Sequence, residues 1–294
     1  MTSPAYSPIA DAPTSESLLL EVAHLKNSPE HLVLTRGNFD LFLFRKEDAP
    51  KLFFELCRQR EITFRLAGQG TGNGFDETIE DDYYDQLVLW DHEKQGLAGA
   101  YRLGQTGEVL TQRGADALYL THMFDFEESF LNRDQTALEL TRSFVAADYQ
   151  NDRLALPLLW QGLGKAVLRL SATRLFGSVT LSADFSTESR ALMVAWLTKY
   201  RTHRPSSLAE AHKKFPDQSS QGWDPERNID ELKSQIVDTQ GEPKPIPPLL
   251  RHYLKLGASF HAFHIEASFN DAVYCLLEVE VAKIPAAHRE RFLK

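Results

Sequence analysis

Leu138-Glu139-Leu140-Thr141-Arg142-Ser143-Phe144-Val145 leads into Tyr149-Gln150 and then into Leu158-Leu159-Trp160-Gln161-Gly162-Leu163-Gly164. This stretch decides the architecture. Its first part predicts a short strand over 138–145 that carries a carboxylate and a guanidinium. Apolar residues then recur at Leu156, Trp160, Leu163, Val167 and Leu170, with Pro157 near the start, which predicts an amphipathic helix. The strand therefore feeds a helix that opens near the basic residue Arg153. A helix amino terminus in that position can bind a phosphate, and the strand edge can hold a thioester.

Working outward, the spacing of Leu52, Phe53, Leu56 and Ile62 predicts a helix over 49–65, preceded by a strand at 41–44. Gly68, Gly70, Gly72 and Gly74 then make a loop. No Lys-Ser/Thr follows it and the next residues are acidic, so it reads as a flexible cover over a substrate rather than a phosphate cradle. Alternation over Gln86–Trp90 and again over Leu97–Leu103 predicts a hairpin. Further strands are expected at 118–120, 176–181 and 272–281, and further helices at 186–199 and 247–256. Residues 1–30 read as a loosely ordered lead-in. Residues 203–246, polar and rich in proline, read as an insertion. The order predicts an α/β chain with one mixed layer of strands and helices, forming a single domain over 31–294.

The bulk properties narrow the function. A net charge of −9 over 294 residues argues against nucleic acid as a partner. No apolar run approaches the roughly 20 residues that span a bilayer, and the first residues lack a basic secretory region. Two cysteines, both in apolar segments, suit a cytoplasmic chain without a disulfide framework. No Cys/His cluster has zinc spacing, so no metal is expected; His261 and His264 read as core or surface residues.

Taken together, several segments resemble the GNAT-type N-acyltransferases of aminolipid synthesis, the ornithine-lipid and glycine-lipid synthases. More distantly they resemble N-acyl-amino-acid and acyl-homoserine-lactone synthases. The segments are Arg60-Glu61-Ile62-Thr63-Phe64-Arg65, Gly70-Thr71-Gly72, Tyr83-Tyr84-Asp85-Gln86-Leu87, Gly99-Ala100-Tyr101-Arg102-Leu103 and Glu139–Phe144 with Leu159-Trp160-Gln161-Gly162. The resemblance covers roughly 40–290 and implies a GNAT-like fold, with a mostly antiparallel central sheet flanked by helices. Thr141 stands where the family has glycine, and Thr78 with Asp81 stands where it has an acidic pair. Arg153 occupies the place of a glycine in the coenzyme A cradle of acetyl-transferring relatives. An arginine there crowds a pyrophosphate but can pair with a single phosphate. This favours acyl-phosphopantetheine on acyl carrier protein as donor, with acyl-CoA as the alternative.

The resemblance implies roles for particular residues, each beside a plainer one. Glu139 is the candidate base, acting through water, or an ion-pair partner of Arg102 or Arg142. Strict alternation puts 139 and 142 on opposite faces. Arg102 can hold the acceptor carboxylate or brace Glu139. Arg142 can bind phosphate or fix the strand edge. Ser143 can donate a hydrogen bond near the thioester. Asp81 and Asp85 are candidate amine binders or turn residues. Ser178, Thr180 and Ser182 share a strand face that can meet pantetheine amides.

The expected reaction moves a (3-hydroxy)fatty acyl group from acyl carrier protein to the α-amine of glycine or ornithine, giving a lyso-aminolipid. The alternatives are an acyl-amino-acid or acyl-homoserine-lactone-like synthase, or a binding module without turnover. Peripheral contact with membrane lipid at the inner face fits such a product. A carrier protein is acidic, so docking is expected at a local basic patch of Lys165, Arg169 and Arg174.

Overall fold

The predicted hairpin forms between Asp85–Asp91 and Gly96–Gln105, and the sheet grows on both sides of it. The computed structural model describes residues 6–202, 208–216 and 229–293. In chain order the strands are β1 (Leu32–Arg36), β2 (Phe39–Phe44), β3 (Asp85–Asp91), β4 (Gly96–Gln105), β5 (Phe124–Phe126), β6 (Ala137–Val145), β7 (Arg174–Leu181), β8 (Ala209–Ala211), β9 (Ser259–Glu266) and β10 (Ala272–Glu280). Eight of them make one sheet in the order β1-β2-β3-β4-β6-β7-β10-β9, and β5 pairs with β8 separately. Every neighbouring pair is antiparallel except β6 with β7.

That exception shapes the site. Parallel pairing between β6 and β7 runs only from Ala137↔Arg174 to Leu140↔Gly177. Gly177 permits the close approach, because a Cβ there would lie 2.6 Å from the Leu140 carbonyl oxygen. Beyond it the two strands part. A bulge adds to the effect: Arg102 pairs with Thr141 but Ala100 pairs with Phe144, so Tyr101 faces both Arg142 and Ser143. Arg142 takes a left-handed φ of +49° there, a conformation that side chains with a Cβ rarely adopt.

Helices cover the sheet. The expected helices appear as α2 (Pro50–Leu66), α5 (Ala155–Arg169), α6 (Thr187–Arg201) and α7 (Pro248–Lys255). With α1 (Ser15–Lys26) and α8 (Ala286–Leu293) they enclose the larger apolar core. A smaller core gathers Phe124, Phe130, Leu120 and Val109 against Phe176 and Leu276 of the sheet, using α3 (Thr106–Arg113) and α4 (Glu128–Leu131).

Four expectations are corrected. The supposed loose lead-in contains α1, capped by Thr14, with Leu18, Val22 and Leu25 buried at helical spacing. Residues 118–120 are no strand: Tyr119–His122 forms a 3-10 turn whose amides turn toward Glu139. The glycine-rich loop is held rather than loose, as described below. Within the insertion expected at 203–246, Leu232, Ile236 and Ile246 are buried in the main core; residues 203–207 and 217–228 lie outside the described residues.

Candidate active site

Where β6 and β7 part, a cavity of about 290 Å³ opens. Thr141, Arg142 and Ser143 line one side, Ser178, Val179, Thr180 and Ser182 the other. Phe64, Tyr119, Tyr274 and the start of α7 at Pro247-Pro248-Leu249 close it. The expected Arg142, Ser143, Ser178, Thr180 and Ser182 are thus brought together. No carboxylate is among the lining residues, and Arg142 is their one cation.

The bulge swings the Arg142 guanidinium between two rings, 5.9 Å from the Phe64 centroid and 5.0 Å from that of Tyr119. Its Nη1 lies 3.5 Å from Asp76 Oδ2, while its buried Nε has no hydrogen-bond partner among the described residues. Asp76 went unnoticed in the sequence. A buried donor left open in this way can be satisfied by an anionic ligand, and Nε is such a donor on a cleft-lining residue.

Behind Arg142 stands a buried network of guanidiniums and carboxylates. Arg60 lies 3.3 Å from Asp76 and bonds Asp81 Oδ2 at 2.8 Å. Arg102 donates to the hydroxyls of Thr141 at 2.9 Å and Thr78 at 2.6 Å, and lies 3.3 Å from Asp81. Burial alone would raise the Asp81 carboxyl, but Arg60 and Arg102 beside it hold it well below the usual carboxylate range. Both threonines that depart from the family pattern therefore serve Arg102.

Other expected residues sit elsewhere. Glu139 is fully buried behind Tyr119 rather than on the cleft wall: it accepts hydrogen bonds from the Tyr84 hydroxyl and from the amides of Tyr119 and Leu120. Burial pushes its carboxyl up. Arg102 and Asp81 belong to the network behind the cleft, and Asp85 pairs with Arg45 at 2.5 Å. Arg153 is exposed and does not line the cleft. The helix terminus beside it is taken: the Asp152 carboxylate accepts from Leu154 N at 2.6 Å and Ala155 N at 3.2 Å. A short acidic side chain just before a helix is a capping signal that could have been read from the sequence. The expected basic patch also dissolves. Arg174 is buried against Asp134, and Arg169 donates to the carbonyls of Glu30 and Leu32.

The glycine-rich loop is fastened to α2. Glu61 accepts from the amides of Thr71 and Gly72, both at 2.9 Å, and from the Thr71 hydroxyl at 2.8 Å. Ser7 N and Ala10 N donate to the Gly72 and Gly74 carbonyls from the other side. Gln69, at the loop's start, lines the cleft. Among the described residues no helix is long and apolar enough to cross a membrane.

A mostly antiparallel sheet thus parts beside its one parallel pair to form a polar cleft. The family described as acetyltransferase (GNAT) domain matches residues 59–161. A glycine N(alpha)-acyltransferase of Bacteroides thetaiotaomicron is 30% identical over 269 residues, taking in 85% of this chain and 79% of the relative. Another, of Phocaeicola vulgatus, is 32% identical over 201 residues, or 64% of this chain; the match spans 61% of that relative's length. Among solved structures, the CoA-dependent acyl-homoserine lactone synthase MesI aligns at 11% identity with a TM-score of 0.42, covering 86% of this chain and 92% of that one. The chain belongs to the GNAT acyltransferase family that contains the two glycine N(alpha)-acyltransferases.

Proposed function

We propose that the chain transfers a fatty acyl group from a pantetheine thioester, carried by acyl carrier protein, to the α-amine of glycine, releasing an N-acylglycine that serves as a lyso-aminolipid. The observation that carries this reading is the cleft between β6 and β7 with the unsatisfied Arg142 Nε at its edge. The names of the two relatives favour glycine over ornithine as acceptor.

Arg142 takes the glycine carboxylate through Nε and one terminal nitrogen, a geometry suited to a planar anion. Its ring-stacked position between Phe64 and Tyr119 fixes the guanidinium before the ligand arrives. Ser178, Thr180 and Ser182 offer hydroxyls to the amides of the pantetheine arm. The amine nitrogen attacks the thioester carbon, the C–N bond forms and the C–S bond breaks. The proton lost from nitrogen is taken up by the departing sulfur, so a glycine delivered as the neutral amine needs no net base. Ser143 donates to the carbonyl oxygen as negative charge grows on it. Glu139 acts as a positioning residue, holding Tyr119 beneath Arg142 through its amide.

The test incubates the protein with 3-hydroxypalmitoyl-acyl carrier protein and a pool of amino acids including ornithine, and reads products by mass spectrometry. N-acylglycine as the dominant product is expected. N-acylornithine would reassign the acceptor, and tight donor binding without any product would leave a binding module.

A further inference from the structure

We propose that the groove between α5, α7 and α8 is a phosphate site for the carrier arm of the acyl donor. This rests on the pantetheine-thioester reading above and extends it to the arm's far end. The groove is a cavity of about 240 Å³ walled by Lys255, Arg291, His252 and His288, with Trp160 and Gln161 contributed by α5. No carboxylate is among its lining residues, although the whole chain carries a net charge of −9. Lys255 and Arg291 are exposed at its mouth. Trp160 stacks on His252, with ring centroids 5.2 Å apart and planes at 20°, which fixes the imidazole. A guanidinium, an ammonium and fixed ring N–H donors make a set suited to a phosphate.

Two independent observations tie this groove to the donor. The first is continuity. Pro248 and Leu249 line the acyl cleft, while His252, Lys255 and Leu256 line the basic groove. Positions 248, 252 and 255, like 249 and 256, share one face of a helix. One face of α7 thus runs between the two cavities, a distance of about 10 Å at 1.5 Å per residue. The second is exclusion. The amides of Leu154 and Ala155 at the start of α5 are taken by the Asp152 carboxylate, whose charge disfavours a second anion there. The negative end of the donor needs a cationic partner elsewhere, and the groove supplies it along the same helix.

The same phosphate occurs where the arm joins a carrier-protein serine and where it joins the nucleotide of coenzyme A. Calorimetry on the full chain with 4′-phosphopantetheine and with pantetheine reads the site without turnover. Wild type is expected to bind the phosphorylated arm at least tenfold more tightly. In a Lys255→Glu, Arg291→Glu double variant that gap is expected to shrink to within twofold. Lys255→Gln with Arg291→Gln replaces it if charge reversal disturbs the circular dichroism spectrum. Equal binding of both arms to wild type, or a gap that persists in the variant, overturns the proposal. For the source, kcat/KM is measured with acyl carrier protein and with acyl-CoA. A tenfold loss confined to one donor names the source, and no loss with either overturns the proposal. A binding gap that behaves as expected in a protein that makes no N-acylglycine would reject the proposed reaction and keep the phosphate site.

Discussion

Arg102 Nε donates to the Thr141 hydroxyl at 2.9 Å, joining β4 to β6 at the last paired residue before the bulge. Thr141 stands where related sequences are expected to carry glycine, and its side chain supplies the acceptor that a glycine lacks. Both residues are buried. Thr141→Val keeps the shape and removes the acceptor, leaving a guanidinium N–H unsatisfied. The expected cost is about 1–3 kcal/mol, read as a lower urea midpoint at unchanged slope.

Arg142→Ala should act on the acceptor and leave the donor alone. Losing even one charge-assisted bond to a carboxylate costs about 1.5–3 kcal/mol, so KM for glycine should rise at least roughly 10- to 150-fold. Arg142→Lys restores the charge without the planar fork and should recover only part of this loss. Steady-state kinetics with the acyl donor saturating separates the two. An unchanged KM for glycine in Arg142→Ala would remove Arg142 from the acceptor site.

Asp81 gives a pH signature. Its carboxyl is held below its unfolded value by Arg60 and Arg102, against the opposing effect of burial. A group with a depressed folded pKa stabilises above its unfolded pKa, about 3.9, and that contribution fades as pH falls through the folded value. Asp81→Asn leaves two buried guanidiniums short of a partner and should cost about 3–5 kcal/mol at pH 7. The difference from wild type should hold down to about pH 5 and narrow below about pH 4. Urea denaturation at pH 7 and pH 3.5 measures both.

Glu61→Ala should free the glycine-rich loop while leaving the sheet intact. Each lost bond to a carboxylate is worth about 1.5–3 kcal/mol. Amide exchange at Thr71 and Gly72 should therefore accelerate at least about tenfold, with protection of β3 and β4 unchanged. Hydrogen–deuterium exchange followed by peptide mass spectrometry resolves the loop from the strands.

Gly177→Ala tests the point where the strands part. The new methyl would meet the Leu140 carbonyl oxygen at 2.6 Å, so β6 and β7 must separate one pair earlier. Overpacking of this kind costs about 1–3 kcal/mol. Thermal denaturation should show the loss.

Local pattern carried much of the fold. Alternation marked β3 and β4, and helical spacing marked α2 and α5, because each buries one face and needs only neighbours in sequence to show it. Ser178 and Thr180 of β7 were legible as one face for the same reason. The network behind them was not. Arg60, Asp81 and Arg102 meet only after α2 and two strands have packed, and Asp76 reaches Arg142 across 66 residues of chain. The bulge at Arg142 was hidden as well. An arginine at positive φ gives no sign in composition. Tyr119 was assigned to a strand because its apolar neighbours suit one; a buried carboxylate drawing in its amide decided otherwise.

The backbone bonds from Ser7 to Gly72 and from Ala10 to Gly74 have a consequence for how the molecule comes together. Residues 7–10 emerge from the ribosome before their partners, which lie more than sixty positions later in the chain. Such distant pairings form late, once nearer contacts have been made. The glycine-rich loop is therefore tied down from that side only after a long stretch of chain has been made, and a nascent molecule carries a framed sheet before this loop is fastened.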